Sequence, residues 1–246
     1  MRLITVSILV TSLAAAVPSQ GQQPASAAAS NAPAQPYLAR TMAYPMILSD
    51  PPKAGSPIYA ADDEVVEALQ NADDARYASA QADATQLYPR FEATFGRPIG
   101  KDTSPALVHL LDRAIADVNA VAFPAKDHFG RPRPFQRLHL RRVCGLDKLP
   151  APSPTASGGS SYPSGHSTWG WTTAMVLARV DPSRTAALMS RAAEYAESRL
   201  VCGVHYPSDI EAGHAVAAAV VAELDGNANF RADLERAREE LAAQRR

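Results

Sequence analysis

Beyond Tyr37 the apolar residues of this chain return every three or four positions, and no run of alternating β-branched residues occurs. A helix buries a stripe with a period near 3.6, whereas a strand needs a period of two. The chain therefore reads as all-α, a single-domain helical bundle. The clearest stripe is Leu107, Leu110, Leu111, Ile115, Val118 and Val121, behind Thr103-Ser104-Pro105, a capping residue with proline in the first turn. Pro124 is expected to end or distort that helix and leave Lys126 beyond it. The segment Gly130-Arg131-Pro132-Arg133-Pro134 must be extended, because each proline biases its predecessor out of the helical region.

Further helices are expected from a cap at Asp62 or Asp63, from Asp73 to about Leu87 with a break at Tyr88-Pro89, and from Ser164 to Val180. The last of these carries Trp169, Trp171, Met175, Val176 and Leu177 and reads as buried. Arg184 to about Val201, Pro207 or Ser208 to Leu224, and Phe230 to Gln244 complete the series. Residues from Leu149 to Tyr162, rich in Pro, Ser and Gly, are expected to form a loop. No stretch reaches 18 uninterrupted apolar residues, so no stable membrane insertion is expected.

The first 36 residues read differently. Met1-Arg2 and the apolar stretch Leu3 to Val17, followed by small residues, predict a signal peptide over residues 1–21 and export to the periplasm. Residues 22–36, rich in Ala, Ser, Gln and Pro, read as a flexible linker. Residues 37–246 form the all-α domain. A net charge of -1 argues against nucleic-acid binding, which needs a cationic excess. Lys126, Arg131, Arg133, Arg137, Arg141 and Arg142 nevertheless concentrate locally, which suits either a small anionic ligand or a solvated basic loop. The two cysteines, Cys144 and Cys202, could form one disulfide in an oxidising compartment or remain two buried thiols.

Chemistry concentrates in three blocks. Lys126 stands seven positions before Arg133-Pro134; Pro163-Ser164-Gly165-His166 opens a helix; Ser198-Arg199 precedes His205 and Asp209. At the second block, the free N–H groups of a first helical turn favour an anion, Gly165 allows close approach, and His166 is aimed at what binds there. In the third, Asp209 four residues after His205 can hold one imidazole nitrogen and free the other to attack, while Arg199 offers a planar fork to phosphate oxygens. Lys126, Arg133 and Arg199 would stabilise charge on a transferring phosphoryl group. Each block alone has a structural explanation as a cap or a solvated loop. A metal site built from His166, His205, Asp209 and His214 lacks a second carboxylate cluster.

This ordered trio resembles the signature of the type 2 phosphatidic acid phosphatase (PAP2) superfamily, and within it the exported bacterial class A non-specific acid phosphatases. Ala125 to Phe129, Arg131 to Phe135, Cys202 to Asp209, and Asp50-Pro51-Pro52 with Gly55-Ser56 carry the closer likeness. The resemblance implies a helical bundle of the PAP2/haloperoxidase type that hydrolyses phosphate monoesters through a phosphohistidine, without metal or cofactor. By the same resemblance His205 would be the nucleophile, Asp209 would orient it and His166 would be the general acid. Lys126, Arg133, Ser164, Gly165 and Arg199 would hold the phosphoryl oxygens. Partners would be small phosphomonoesters, with homo-oligomer formation open. A vanadium-dependent haloperoxidase-like enzyme and a non-catalytic periplasmic phosphate binder are the alternative readings.

Overall fold

The computed structural model describes residues 34–39, 42–146 and 159–244. The expected signal peptide, residues 22–33 of the linker, and residues 149–158 of the expected loop lie outside these. Among the described residues the fold is all-α: α1 (Pro57–Leu69), α2 (Asp74–Thr85), α3 (Pro89–Phe95), α4 (Pro105–Phe129), the single turn α5 (Pro134–Arg137), α6 (Gly165–Val180), α7 (Thr185–Val201), α8 (Pro207–Asp225) and α9 (Ala228–Ala243). The chain is packed from Tyr37, whose N–H and that of Leu38 each donate to Asp117 at 2.9 Å.

Helix α6 is the centre. It packs on α4, α7 and α8, and the first half of its buried side is made of small residues, among them Ser167, Thr168, Gly170, Thr172, Thr173 and Ala174, before Val176, Leu177 and Val180. Small side chains let neighbouring backbones come close. At Gly213 of α8, an added Cβ would lie 2.6 Å from the Ser164 carbonyl oxygen and 2.9 Å from Ser167 Cβ. Around α6, one core gathers Phe91, Leu107, Leu110, Leu111, Val118, Leu177, Tyr195, Val216 and Phe230. A smaller core under the third motif block joins Val66, Leu140, Val143, Val201, Val204 and Tyr206.

Several local expectations are corrected. Helix α1 begins at Pro57 with Ser56 as its cap, the Ser56 hydroxyl accepting the Tyr59 N–H at 3.2 Å. Asp62 is therefore not a cap but a buried residue within the helix. Helix α4 runs through Pro124 to Phe129 and ends at Gly130, whose φ of 57° is left-handed. An interior proline removes one intrahelical bond and presses its ring on the carbonyl four residues back, but buried Val121, Ala122 and Ala125 on either side hold the register. Lys126 thus sits within the last turn of α4. Trp169 and Trp171 are only partly buried, packed at the edge of the main core.

Ser104 gives α4 no side-chain cap. Glu240 of α9 does this instead, accepting the Ala106 and Leu107 N–H groups at 2.9 and 3.1 Å. Cys144 and Cys202 are joined in a disulfide that ties the chain after α5 to the end of α7.

The contact at Gly213 generates a stability prediction. Gly213→Ala forces a methyl group into backbone that cannot turn aside, at a cost of about 1–3 kcal/mol. At roughly 2–4 °C per kcal/mol for a domain of this size, its melting midpoint should fall by several degrees. An unchanged midpoint in a thermal melt would show that α8 shifts freely against α6.

Candidate active site

Three backbone hydrogen bonds join the motif blocks in pairs. Ser161 N–H donates to the Arg131 carbonyl at 2.8 Å, Ser164 N–H to the Asp209 carbonyl at 2.9 Å, and Phe135 N–H to the Gly203 carbonyl at 3.3 Å. Between the blocks lies a cavity of about 290 Å³ lined by Phe123, Lys126, Arg133, Gly165, His166, Trp169, Arg199 and His205. Three of these side chains are cations and none is a carboxylate. Ser164 stands beneath the wall as the cap of α6, accepting the Ser167 N–H at 3.3 Å. An added Cβ on Gly165 would touch Lys126 Cε and Trp169 at 3.7 Å, so the bare glycine leaves room in a crowded corner.

The electrostatics follow from crowding like charges. Burial, then the Arg133 charge, brings Lys126 down to about 8. Burial also lowers Arg199, to about 10, with Arg133 adding repulsion. Its Nε is buried with no hydrogen-bond partner among the described residues. Buried cations without a carboxylate beside them are costly. The arrangement suits an anion that would satisfy all three at once.

The hydrogen bonds also fix the histidine tautomers. A guanidinium can only donate, and Arg133 Nη1 lies 3.2 Å from His205 Nε2, so Nε2 carries a lone pair and Nδ1 carries the proton. Asp209 Oδ2 lies 3.5 Å from that Nδ1, longer than a hydrogen bond. Such contacts often tighten only when substrate is bound. Burial, then Arg133, Lys126, Arg199 and His166, hold His205 well below the ordinary imidazole value, so it is neutral. His166 Nε2 faces the Ala84 carbonyl at 3.1 Å, and a carbonyl only accepts, so Nδ1 is the nitrogen left for proton exchange. Burial and the Arg199 charge depress His166 to about 3.

Asp209 is fully buried. Burial pushes its carboxyl up, against the Arg131 charge and the Tyr206 N–H, which donates to Oδ2 at 2.8 Å. Arg131 Nη1 bonds Asp209 Oδ1 at 2.6 Å and Ser208 Oγ at 2.7 Å, and its Nη2 bonds Asp62 Oδ2 at 2.7 Å. Ser198 faces away from the cavity. Its hydroxyl donates to buried Asp83 at 2.6 Å, and Asp83 also binds Arg90 and Arg191, holding α7 against α2 and α3.

The sequence-predicted residues Lys126, Arg133, Ser164, Gly165, His166, Arg199, His205 and Asp209 thus converge. His214 does not join them; its ring stacks on Trp171 at 3.9 Å. Of the six basic residues concentrated from the last turn of α4 to Arg142, only Lys126 and Arg133 line the cavity. Arg131 is paired as above, Arg137 binds Asp63, Arg141 bonds the Gln70 carbonyl, and Arg142 binds Asp74. Sequence reading missed Phe123 and Trp169 as walls of the cavity. The only available signal was spacing: each sits three residues from a predicted site residue, Lys126 or His166, and so on the same helical face.

The chain is similar to known proteins over most of its length. Residues 108–224 match the PAP2 superfamily. The chain is 33% identical over 207 residues to an acid phosphatase of Zymomonas mobilis, covering 80% of this chain and 74% of that protein. It is 33% identical over 205 residues to a non-specific acid phosphatase of Providencia stuartii, covering 80% and 79%. A non-specific acid phosphatase of Salmonella typhimurium is 30% identical over 200 residues, covering 79% and 78%. With its motif blocks assembled around one cationic cavity and this extent of likeness, the chain belongs to the PAP2 superfamily, together with the bacterial non-specific acid phosphatases it matches over most of its length.

Proposed function

We propose that this chain is an exported acid phosphatase that hydrolyses phosphate monoesters through a phosphohistidine on His205, with no metal. The observation that carries the reading is the cavity wall: among the described residues, three cations and no carboxylate, with the unprotonated Nε2 of His205 facing Arg133. The names of the relatives support the activity, and all three are phosphatases. The disulfide supports export, since such bonds persist in oxidising compartments.

In the first step the His205 Nε2 lone pair attacks phosphorus. The N–P bond forms as the bond to the ester oxygen breaks, and the leaving alkoxide takes a proton from His166 Nδ1. Lys126, Arg133 and Arg199 balance the charge on the equatorial oxygens. Asp209 offsets the positive imidazole through Nδ1–H. In the second step His166 Nδ1 removes a proton from water, the oxygen attacks phosphorus, and the N–P bond breaks to release phosphate. These charges would do without metal what a bound cation does elsewhere.

The protonation states follow from sign. His205 must be neutral, and its depressed value makes it so down to low pH. His166 must be protonated, yet holds its proton only below about 3 when three cations face it with no anion between. A phosphomonoester dianion brings two negative charges against those cations and raises His166 toward the working range. Activity should therefore rise from low pH as His205 loses its proton, and fall at higher pH as bound-state His166 loses its own. A bell-shaped kcat profile with an acidic optimum is expected, and a flat profile from pH 5 to 9 would contradict the assignment.

Two further outcomes test the chemistry. His205→Ala should abolish covalent labelling from a radioactive phosphomonoester, and a labelled variant would remove His205 from the nucleophile role. Hydrolysis of p-nitrophenyl phosphate should persist in excess EDTA, whereas complete loss that added metal restores would overturn the metal-free mechanism.

A further inference from the structure

The carboxylate behind His205 is held by a cation, and that cation by a second carboxylate from a helix far away in sequence. Asp209, Arg131 and Asp62 lie in line, with bonds of 2.6 and 2.7 Å and side chains at most 5% exposed. The Tyr206 ring covers the guanidinium, with Cζ 4.1 Å from its centroid. None of this is needed to bind phosphate, since neither Arg131 nor Asp62 lines the phosphate cavity.

Two physical consequences follow. Arg131 takes Oδ1 of Asp209, so Oδ2 remains for the Tyr206 N–H and for His205 Nδ1. The carboxylate plane is thereby fixed. Charge is the second consequence. Asp209 and Arg131 alone sum to zero, and a neutral pair would do little to offset the positive imidazole that forms when Nε2 takes up phosphorus. Asp62 makes the trio sum to minus one. It shares the guanidinium through Nη2 and leaves Asp209 more of its own charge in a low-dielectric interior.

We propose that Arg131 and Asp62 are positioning residues for the phosphoryl transfer, aiming Asp209 and preserving its negative charge toward His205. This rests on the reading of His205 as nucleophile. Asp62 also has a structural duty, because its Oδ1 accepts the Ser208 N–H at 3.0 Å and caps α8 from α1. A test must separate that clip from an effect on chemistry.

The experiment uses the full chain and measures the single-turnover rate of label transfer from a radioactive phosphomonoester to His205. Quenching into alkaline detergent preserves a phosphohistidine. Asp62→Asn keeps the size of the side chain and removes its charge. Its labelling rate should fall about tenfold or more, as for other outer-shell partners. Its inhibition constant for inorganic phosphate should stay within about threefold of wild type, because the cavity wall is untouched. Asp63→Asn is the control, since Asp63 pairs with Arg137 instead and leaves Arg131 intact; its rate should be unchanged. A folded Asp62→Asn variant that labels at the wild-type rate would reduce Asp62 to a clip and overturn the proposal. Should that variant not fold, Arg131→Lys keeps one positive charge but loses the fork, and wild-type labelling by it would overturn the proposal equally. Absence of label on His205 in the wild type would instead sink the phosphohistidine mechanism itself.

Discussion

The close approach of α8 to the first turn of α6 governs everything else in the site. Gly213 has no side chain, so α8 lies directly on the Ser164 carbonyl and the Thr168 N–H, and Ser167 Oγ reaches the Ile210 carbonyl at 2.6 Å. That contact sets the Ser164 N–H on the Asp209 carbonyl. It thereby fixes the distance between the helix terminus that carries His166 and the turn that carries His205. The remaining elements are supports for this pair. Helix α4 brings Lys126 to the cavity edge, α7 is clamped by Asp83 so that Arg199 arrives buried, and the disulfide ties Cys202, in the turn between Arg199 and His205, to Cys144 after α5.

How legible this was depended on whether the signal was local. Helix periods, proline boundaries and the three motif blocks are properties of short stretches, and a short stretch carries them whole. The all-α fold and the convergence of eight site residues followed from them. Pro124 shows where local rules stop: proline is a helix breaker by propensity, but the buried residues on both sides outweigh one missing hydrogen bond. Asp62 shows the same from the other direction. Its place before an apolar stripe suggests a cap, and only the fold reveals that Arg131, 69 residues later, claims it.

The basic residues after α4 are the sharpest case. Six cations in 17 positions look alike in sequence, yet the fold assigns four of them to internal partners and two to the cavity. What decides is where the fold sets each side chain, which no pattern within the stretch encodes: Lys126 and Arg133 also donate to carbonyls, of Ser160 and Val204, but still line the cavity. Lys126 and Arg133 face the cavity with no carboxylate at hydrogen-bond distance among the described residues, and their depressed proton affinities record burial among like charges.

In the proposed mechanism the three cations of the cavity wall meet an esterified phosphate and a free one through the same oxygens. The interactions that gather the reactant also retain what is left after the bond to the alcohol has gone. Affinity of this kind is spent equally on both ends of the reaction. A catalyst working in this way would be throttled by its own output, so its throughput would reflect how much phosphate has already accumulated as well as how much ester remains.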